Sequence, residues 1–449
     1  MDKFKRRKYM IKNLALWGYG YHGKDVESAI LSLHTHKYCI TAIFDARFKE
    51  LNLNMSGHEI LDPARIREYY EKGLFDAVMI TVYDKDQKAR IATRLYAIGI
   101  PVEDNDEALS NDHLFRDADC FPQGQVDFSW QEREGYSFNV LRDMRMSFVH
   151  GKDFAFIFDR DGYILSSVWL PEHFRAAPYL KMYMPPKTEE TIYMPGEWCF
   201  LGKIWTANYW HFTYECMDQI WLLEKSGYTG RYILAKRKFS QELTALLGVD
   251  PERISWREDF DHEAVYQFET LVCTELLHND RRRSAPVLLE MAGDILSRIQ
   301  AGERRYPRRI FVKRIGTRRL MLSKKSEALL EDLGFETIVP EELTVTEQIL
   351  YFHNADIVLS PHGANSTNSL YMRPGTVFIE TFPYNYVNAC CLDTSYCGRL
   401  DYLQVIESRG VAGGSEDMYR DYSIDSHLLE MVIRNAIRLT DKPVSTIGF

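Results

Sequence analysis

The chain has little of what marks disulfide-rich, metal-binding or membrane-spanning proteins. Its 449 residues include eight cysteines, scattered and without a Cys-x-x-Cys pair, which is neither a zinc ligand set nor a disulfide framework and suits a reducing compartment. No apolar run approaches the length of a transmembrane helix. The basic N-terminus has no apolar signal core, because Trp17 and Gly18 follow too soon. We therefore expect a cytoplasmic protein whose basic tip is either solvated or in contact with an anionic membrane surface.

Positive charge is also scarce. The 55 Lys and Arg residues are outnumbered by 64 Asp and Glu residues, for a net charge of −9. A broad nucleic-acid-binding face needs clustered positive charge, so no nucleic-acid partner is expected. The hydrophobic fraction of 45% and the charged fraction of 27% are typical of a folded globular protein. The length predicts about three domains.

Strand and helix signals alternate in two parts of the chain, near residues 13–105 and 306–410. This alternation predicts parallel sheets with helices on their faces, and thus an α/β fold. Residues between these parts are less regular, with a hairpin near 154–165 and an aromatic-rich helix over 208–225. The predicted segments are a Rossmann-like domain over 1–106, a linker over 107–139, a second domain over 140–305 and a third over 306–449 that ends in a closing helix.

The sharpest local signal is the segment 356–370, where an apolar strand ends at Ser360 and Gly363 opens a helix. Ligands in alternating α/β folds sit beyond the carboxyl ends of the strands, and the free N–H groups of a helix N-terminus attract phosphate there. His362 can donate a hydrogen bond at the same point. An ordinary strand–turn–helix corner with capping hydroxyls is the alternative. Further polar candidates are Ser366, Thr367 and Asn368.

A basic turn follows the predicted strand 309–313. In a parallel sheet, Arg314, Arg318 and Arg319 would lie at the same edge as Ser360. The planar guanidinium group matches phosphate oxygens, so these side chains could neutralise a diphosphate leaving group without a metal. A solvated basic loop is the alternative.

A third candidate lies on the predicted helix that begins near Asn208. His211 and Glu215 are four residues apart and share one helical face. A carboxylate or imidazole on that face could take a proton from an acceptor hydroxyl. Taken alone, the two residues favour the alternative of a core histidine and a surface acid.

In this order the motifs resemble glycosyltransferase family 61, which includes protein O-linked N-acetylglucosaminyltransferases, xylan-decorating plant enzymes and bacterial capsular polysaccharide proteins. The likeness spans about residues 145–410 and is strongest over 309–383. Besides the arginine turn and the histidine–glycine turn, it is carried by Asn208, His211, Glu215, Glu347, Gln348 and the run 372–380.

This resemblance implies a GT-B-like pair of Rossmann-like domains, the acceptor side over 140–305 and the donor side over 306–449. It also implies a nucleotide-sugar donor, usually a UDP-sugar, and inversion without an obligate metal or other cofactor. Glu215 takes the family's acidic base position, beside His211. The positions implied for the diphosphate are Arg314, Arg319, His362, Gly363 and Ala364, and further substrate-binding candidates are Asn208, Arg318, Thr367, Asn368 and Glu380.

Two positions depart from the family pattern. Leu322 and Ser323 stand where many relatives have an Asn-Glu pair, and Lys313 stands where relatives often have serine. These departures leave open an unusual contact with the donor or the acceptor near this point.

The segment 158–161 contains an Asp-x-Asp pattern that binds metal in other glycosyltransferases. Asp159 and Asp161 are followed by Gly162 between two apolar runs, which is typical of a hairpin turn. We therefore predict a turn and no metal.

A Gly-x-Gly-x-x-Gly pattern begins at Gly18 and continues through Gly20 and Gly23, with Asp45 placed to meet a ribose. Its tyrosines are bulky for a pyrophosphate turn. The segment also resembles the turn that opens the N-terminal domain of bacterial sugar acyltransferases. Three interpretations stay open: an inert scaffold or docking domain, a nucleotide-sugar or nucleotide site, and an NAD site.

We therefore expect an inverting, metal-independent glycosyltransferase that moves a sugar from a nucleotide-sugar to a glycan hydroxyl. By fold-level analogy, its role would be in bacterial surface polysaccharide synthesis. One alternative is an NAD-dependent sugar oxidoreductase or epimerase acting through the N-terminal glycine motif. Another is a non-catalytic sugar-binding assembly subunit.

Overall fold

The chain forms two compact units in the computed structural model. The first contains Met1–Arg133, Ser137–Ile204 and Glu258–Glu275, and the second contains Glu134–Tyr136, Trp205–Arg257 and Leu276–Phe449. The domain boundaries drawn from the sequence stay a prediction, and most of the predicted linker lies outside the described residues. No helix in the described ranges is long and apolar enough to cross a membrane. The structure describes residues 11–31, 38–51, 57, 59–82, 84–103, 115–116, 120, 122, 125–127, 138–149, 155–165, 188–201, 205–274, 281–300, 304–408 and 419–441.

The N-terminal part of the first unit is a five-stranded parallel sheet, as its alternating pattern predicts. Its strands are Lys12–Trp17 (β1), Tyr38–Phe44 (β2), Ile60–Leu61 (β3), Ala77–Ile80 (β4) and Val102–Glu103 (β5), and its helices are Tyr21–Leu31 (α1), Ile66–Glu71 (α2) and Lys85–Ala97 (α3). The order β3-β2-β1-β4-β5 is Rossmann-like. All four residues of β4 are buried, the pattern of a parallel strand covered on both faces.

The next strands form a mixed arrangement. They are Phe115–Arg116 (β6), Val126–Asp127 (β7), Phe138–Phe148 (β8), Ala155–Phe158 (β9), Ile164–Leu165 (β10), Ile192–Phe200 (β11), Arg231–Leu234 (β12), Ile254–Trp256 (β13) and Tyr266–Thr274 (β14). The parallel pair β12 and β13 belongs to the second unit. In the first unit, β8 pairs antiparallel with β9 and β14, and β14 pairs parallel with β11.

The predicted hairpin turn after β9 is confirmed. β9 and β10 pair antiparallel, and Asp159 Oδ1 accepts hydrogen bonds from the N–H groups of Asp161 and Tyr163 at 2.9 and 2.8 Å. Gly162 has a φ of 88°, a left-handed conformation that glycine adopts at little cost. The first aspartate is thus used to close the turn.

A second five-stranded parallel sheet forms the C-terminal part of the second unit. Its strands are Arg309–Val312 (β15), Glu336–Ile338 (β16), Ile357–Pro361 (β17), Val377–Phe382 (β18) and Asp401–Ile406 (β19). The helices of this unit are the continuous run Tyr209–Phe212, Thr213–Met217 and Asp218–Lys225 (α4), then Lys238–Leu247 (α5), Arg281–Arg298 (α6), Lys324–Asp332 (α7), Val345–Asn354 (α8), the 3-10 helix Ala364–Tyr371, Leu392–Cys397 (α9) and Ser426–Thr440 (α10).

Helices cover both faces of this sheet. On one face, Leu429 and Ile433 of α10 pack against Leu359 and Ile379, which confirms that the last helix packs back onto earlier structure. On the other face, Phe352 of α8 packs with buried side chains of β15, β17 and β18. Short 3-10 turns occupy Pro63–Arg65, Pro251–Arg253, Arg257–Asp259 and Pro340–Glu342.

The strand order β16-β15-β17-β18-β19 creates a switch point between β15 and β17. Chain connections leave these two neighbours in opposite directions along the sheet, so a crevice opens beyond their carboxyl ends, the usual ligand position in such folds. The register pairs Phe311 with Leu359. Arg314 therefore follows one strand and His362 the other at the same edge.

Candidate active site

The turns after β15 and β17 meet at this edge. Arg314 Nη1 donates a hydrogen bond to the backbone carbonyl of His362 at 2.5 Å. Gly363 has an extended backbone, with φ 166° and ψ −174°, which any residue can adopt. A Cβ atom at this position would, however, overlap the Arg314 guanidinium. Gly363 thus allows the guanidinium to lie against the backbone just before Ala364 begins its 3-10 helix.

Arg314 and Arg318 bring two positive charges together. Within the described residues, neither guanidinium is hydrogen-bonded to a carboxylate. Burial, and then the neighbouring charge of Arg318, lower the pKa of Arg314. Arg318 has a left-handed φ of 56°, its guanidinium lies 4.5 Å from the ring centre of Tyr386, and its Nε is buried without a partner. Such an arrangement is costly unless an anion pairs with it.

Arg319 is held differently. Its Nη2 and Nε donate to Asp421 Oδ2 at 2.6 and 2.9 Å, and its backbone N–H donates to Oδ1 at 2.9 Å. Hydrogen bonding to Arg319 lowers the pKa of the Asp421 carboxyl. Because its charge is already balanced, this geometry favours a structural role for Arg319 over the predicted diphosphate contact.

His362 and Glu380 form a buried pair. His362 Nδ1 lies 2.7 Å from Glu380 Oε1, and Glu380 Oε2 accepts a hydrogen bond from the Tyr402 hydroxyl at 2.6 Å. Burial and then the charge of Glu380 raise the pKa of Tyr402. His362 is 4% exposed, Glu380 has no exposed surface, and the imidazole stacks on Phe382 at 4.9 Å. This geometry favours a role for Glu380 in orienting His362 through Nδ1, and a substrate contact of Glu380 stays a prediction.

Thr367 and Asn368 lie in the interior, with no exposed surface. Asn368 Nδ2 donates to Gln348 Oε1 at 3.0 Å, and its Oδ1 accepts from the Tyr209 hydroxyl at 2.8 Å. Gln348 Nε2 donates to the carbonyl of Pro340 at 2.8 Å. Thr367 Oγ1 is buried without a partner in the described ranges. The amide of Asn368 thus joins its 3-10 helix to α4 and α8, and substrate contacts of Thr367 and Asn368 stay a prediction.

Asn208 caps the helix α4. Its Oδ1 accepts hydrogen bonds from the N–H groups of Trp210 and His211 at 2.9 and 3.5 Å, as expected of an N-cap asparagine. The helix begins where the sequence predicts, and capping occupies the side-chain oxygen of Asn208; a substrate contact of this residue stays a prediction.

The candidate base residues lie in contact on this helix. His211 Nδ1 is 3.0 Å from Glu215 Oε1, with side chains 25% and 1% exposed. Glu215 belongs to a π-helical turn, a feature often found at functional sites. The exposed ring of Trp205 lies 5.2 Å from the His211 ring. Glu215 can orient His211, which is the more accessible of the two, and the assignment of Glu215 as the base stays a prediction.

The glycine motif of the first unit forms the turn between β1 and α1. Gly18 has a φ of 103°. A Cβ at Gly23 would overlap the backbone oxygen of Gly18, whereas a Cβ at Gly20 would meet only Arg47 Nη2 at 3.9 Å. One glycine of the pattern is thus needed for close packing of the turn itself.

Asp45, the predicted ribose ligand, is committed to the same turn. Its Oδ2 accepts a hydrogen bond from the N–H of Tyr19 at 2.6 Å, and its Oδ1 accepts from the N–H of Arg47 at 2.8 Å. These bonds favour the scaffold interpretation. Nucleotide or NAD binding by this domain stays a prediction.

Sequence reasoning missed the aromatic supports of the site. Tyr402 lies on β19, which could have been predicted from its strand-favouring Tyr, Val and Ile residues. Tyr386 lies in the turn after β18 and contacts both Arg318 and His362, with ring centres of Tyr386 and His362 5.6 Å apart. No local sequence signal marks this tyrosine, since its contacts are set by the sheet topology.

Comparisons with known proteins point to this same region. Residues 209–379 match the family model described as Glycosyltransferase 61. An alpha-1,3-arabinosyltransferase of Oryza sativa subsp. japonica is 25% identical over 125 residues, which are 27% of this chain and 19% of that protein. A beta-1,2-xylosyltransferase of the same plant is 29% identical over 94 residues, 21% of this chain and 16% of that protein. The matches thus span less than a fifth of each relative's length.

A solved structure was also compared. A flavo di-iron protein variant from Thermotoga maritima shares 10% sequence identity, covering 90% of this chain and 80% of that chain, with a TM-score of 0.22. That score is too low to support an argument about fold.

Proposed function

The chain belongs to glycosyltransferase family 61 through residues 209–379, and on this premise we propose that it transfers a sugar from a UDP-sugar to a hydroxyl of a glycan acceptor. One observation carries the proposal. Arg314 and Arg318 lie together beside the turn at Gly363, without a carboxylate hydrogen-bonded to either in the part of the chain that the structure describes. A diphosphate leaving group supplies the missing negative charge.

On the donor side, the two guanidinium groups hold the diphosphate as its negative charge grows. His362 adds an Nε2–H donor only when both ring nitrogens carry protons, because Glu380 already accepts from Nδ1. Preorganised charge of this kind acts without reorganisation during the reaction, and each lost donor typically costs about 10²–10³ in rate. Since two cations already offset the leaving group's charge, transfer is proposed to need no metal.

On the acceptor side, His211 is the proposed base and Glu215 holds its orientation. The acceptor hydroxyl gives its proton to His211 Nε2 and its oxygen attacks the anomeric carbon. The bond from that carbon to the phosphate oxygen breaks, and its electron pair leaves with the diphosphate. In-line attack of this kind inverts the anomeric configuration.

The donor sugar is proposed to be a pentose. The rice relatives are named for arabinosyl and xylosyl transfer, so UDP-arabinose and UDP-xylose are the first donors to examine. A GT-B-like pairing of Rossmann-like halves, a cytoplasmic location with contact to the membrane surface, and a role in bacterial surface polysaccharide synthesis belong to the same proposal by analogy alone.

The test is a transfer assay with the full chain. UDP release from UDP-arabinose, UDP-xylose and UDP-N-acetylglucosamine is measured with xylan oligosaccharides and other glycans, with and without EDTA, and NMR reports the product anomer. His211→Ala should lower the transfer rate about 10²–10⁴-fold with UDP affinity unchanged. His427→Ala is the control, because His427 is exposed on another helix. A failure of all donors, or an unchanged rate in folded His211→Ala, would contradict the proposal.

A further inference from the structure

A cavity of about 260 Å³ is lined by residues of the turn Pro340–Glu342, of α4, α5 and α8, and by Asn365. Asn365, two residues beyond Gly363, forms part of its wall and donates from Nδ2 to Glu341 Oε1 at 3.2 Å. Glu341 belongs to the turn after β16, the sheet neighbour of β15, and its charge acts on the Arg314 pKa. The cavity therefore continues the proposed diphosphate site along the same edge of the sheet.

The cationic Lys238 of the lining is paired, because its Nζ lies 3.8 Å from Glu242 Oε1, so the lining suits a neutral ring that carries hydroxyl groups. Phe239 is half-buried, and its ring meets that of Tyr209 edge-on at 5.5 Å. Glu242 is already used, because its Oε2 accepts from the N–H of Val345 at 2.6 Å. Glu341 is exposed, and within the described ranges its Oε2 has no hydrogen-bond partner. A carboxylate accepts hydrogen bonds from sugar hydroxyls but repels phosphate.

The cavity also lies away from the proposed base. Tyr209 lines it and His211 does not. Residues two positions apart on a helix point about 200° away from each other. A ring bound in the cavity is therefore not the sugar whose carbon is attacked, which must lie within reach of His211.

Resting on the proposed function, we infer that this cavity binds the ribose of the nucleotide-sugar donor, with Glu341 Oε2 accepting from the vicinal hydroxyls and Phe239 packing against the ring. The volume fits this assignment. Pockets for whole drug-sized ligands occupy about 300–1,000 Å³, so the cavity suits one ring while the diphosphate and the transferred sugar lie outside it.

The test compares ligands that contain and lack the diol. Calorimetry measures binding of pyrophosphate, of UDP, GDP and ADP, and of the 2′-deoxy and 3′-deoxy forms of the tightest nucleotide. Wild type should bind that nucleotide about ten- to a hundredfold more tightly than at least one deoxy form, as expected for a hydrogen bond to a charged group. Glu341→Gln should lose this preference and leave pyrophosphate affinity unchanged.

The matched control is Glu342→Gln, because Glu342 is the next residue and does not line the cavity. It should bind all ligands like wild type. Equal binding of ribose and deoxy forms to wild type would overturn the ribose assignment, as would a Glu341→Gln defect that appears with UDP-xylose but not with UDP. Arg314→Ala separates the two proposals, since unchanged pyrophosphate binding there would remove the diphosphate site. Binding of none of the nucleotides would overturn both.

Discussion

Replacing Gly363 with alanine should perturb the proposed diphosphate site without changing any charged group. The glycine's backbone is extended, so alanine fits the main chain, but its Cβ would occupy the space of the Arg314 guanidinium. Arg314 must then leave the carbonyl of His362, to which it donates at 2.5 Å. Because the side chain that moves is flexible, we expect the variant to fold.

The expected loss is that of one charge-assisted donor. Displacing Arg314 should lower the transfer rate by about 10²–10³, equivalent to about 2.7–4 kcal/mol, and should weaken UDP binding in calorimetry. Gly316→Ala is the control in the arginine turn, because a Cβ there would have no neighbour within 4 Å. It should behave like wild type.

A double-mutant cycle decides whether the effect of Gly363→Ala acts through Arg314. If it does, adding Gly363→Ala to Arg314→Ala should cost little more than Arg314→Ala alone, so the coupling energy should about equal the loss of the single Gly363→Ala variant, about 2.7–4 kcal/mol. Fully additive losses would refute the reasoning, as would wild-type kinetics in a correctly folded Gly363→Ala.

Two further predictions concern stability. Pairing with Arg319 lowers the pKa of Asp421, so this carboxylate stabilises the fold above its unfolded pKa of about 3.9, and that contribution is lost as pH falls through its lower folded pKa. Asp421→Asn should have a lower Tm than wild type at pH 7, and the two Tm values should converge in acid, with UDP affinity unchanged. A Tm difference that does not depend on pH would contradict the pairing. Gly23→Ala should destabilise the protein by about 1–3 kcal/mol, because its Cβ would strike the Gly18 backbone, whereas Gly20→Ala should be tolerated; equal Tm values would refute this.

Local patterns predicted the elements and the edge at which the candidate site lies. Thr344 and Glu347 have capping-box spacing, and both hydrogen bonds of the box are present. The N–H of Thr344 donates to Glu347 Oε2 at 2.9 Å, and the N–H of Glu347 donates to Thr344 Oγ1 at 3.2 Å. The alternation of apolar strand signals with helix signals predicted the parallel sheets, because strands covered by helices on both faces are apolar throughout. Since parallel strands end together, the sequence also indicated that Arg314 would approach Gly363.

The partners of the polar side chains were not predictable from spacing. Arg319 pairs with Asp421, 102 residues away, and Glu380 turns inward to a histidine and a tyrosine from neighbouring strands. Such contacts depend on how the chain brings distant segments together. The sequence therefore identified which polar residues lie near the edge of the sheet but not which of them face inward.

Asn368 links the helix of the proposed base to the helix beside the proposed diphosphate site. Its amide bonds at once to the hydroxyl of Tyr209, two residues before His211 on α4, and to Gln348 on α8. The helix that carries His211 is thereby tied to the helix that starts after Gly363. A thermal fluctuation that shifts one of them must either shift the other or break a buried hydrogen bond, so the proposed base and the proposed diphosphate site are carried by a single framework.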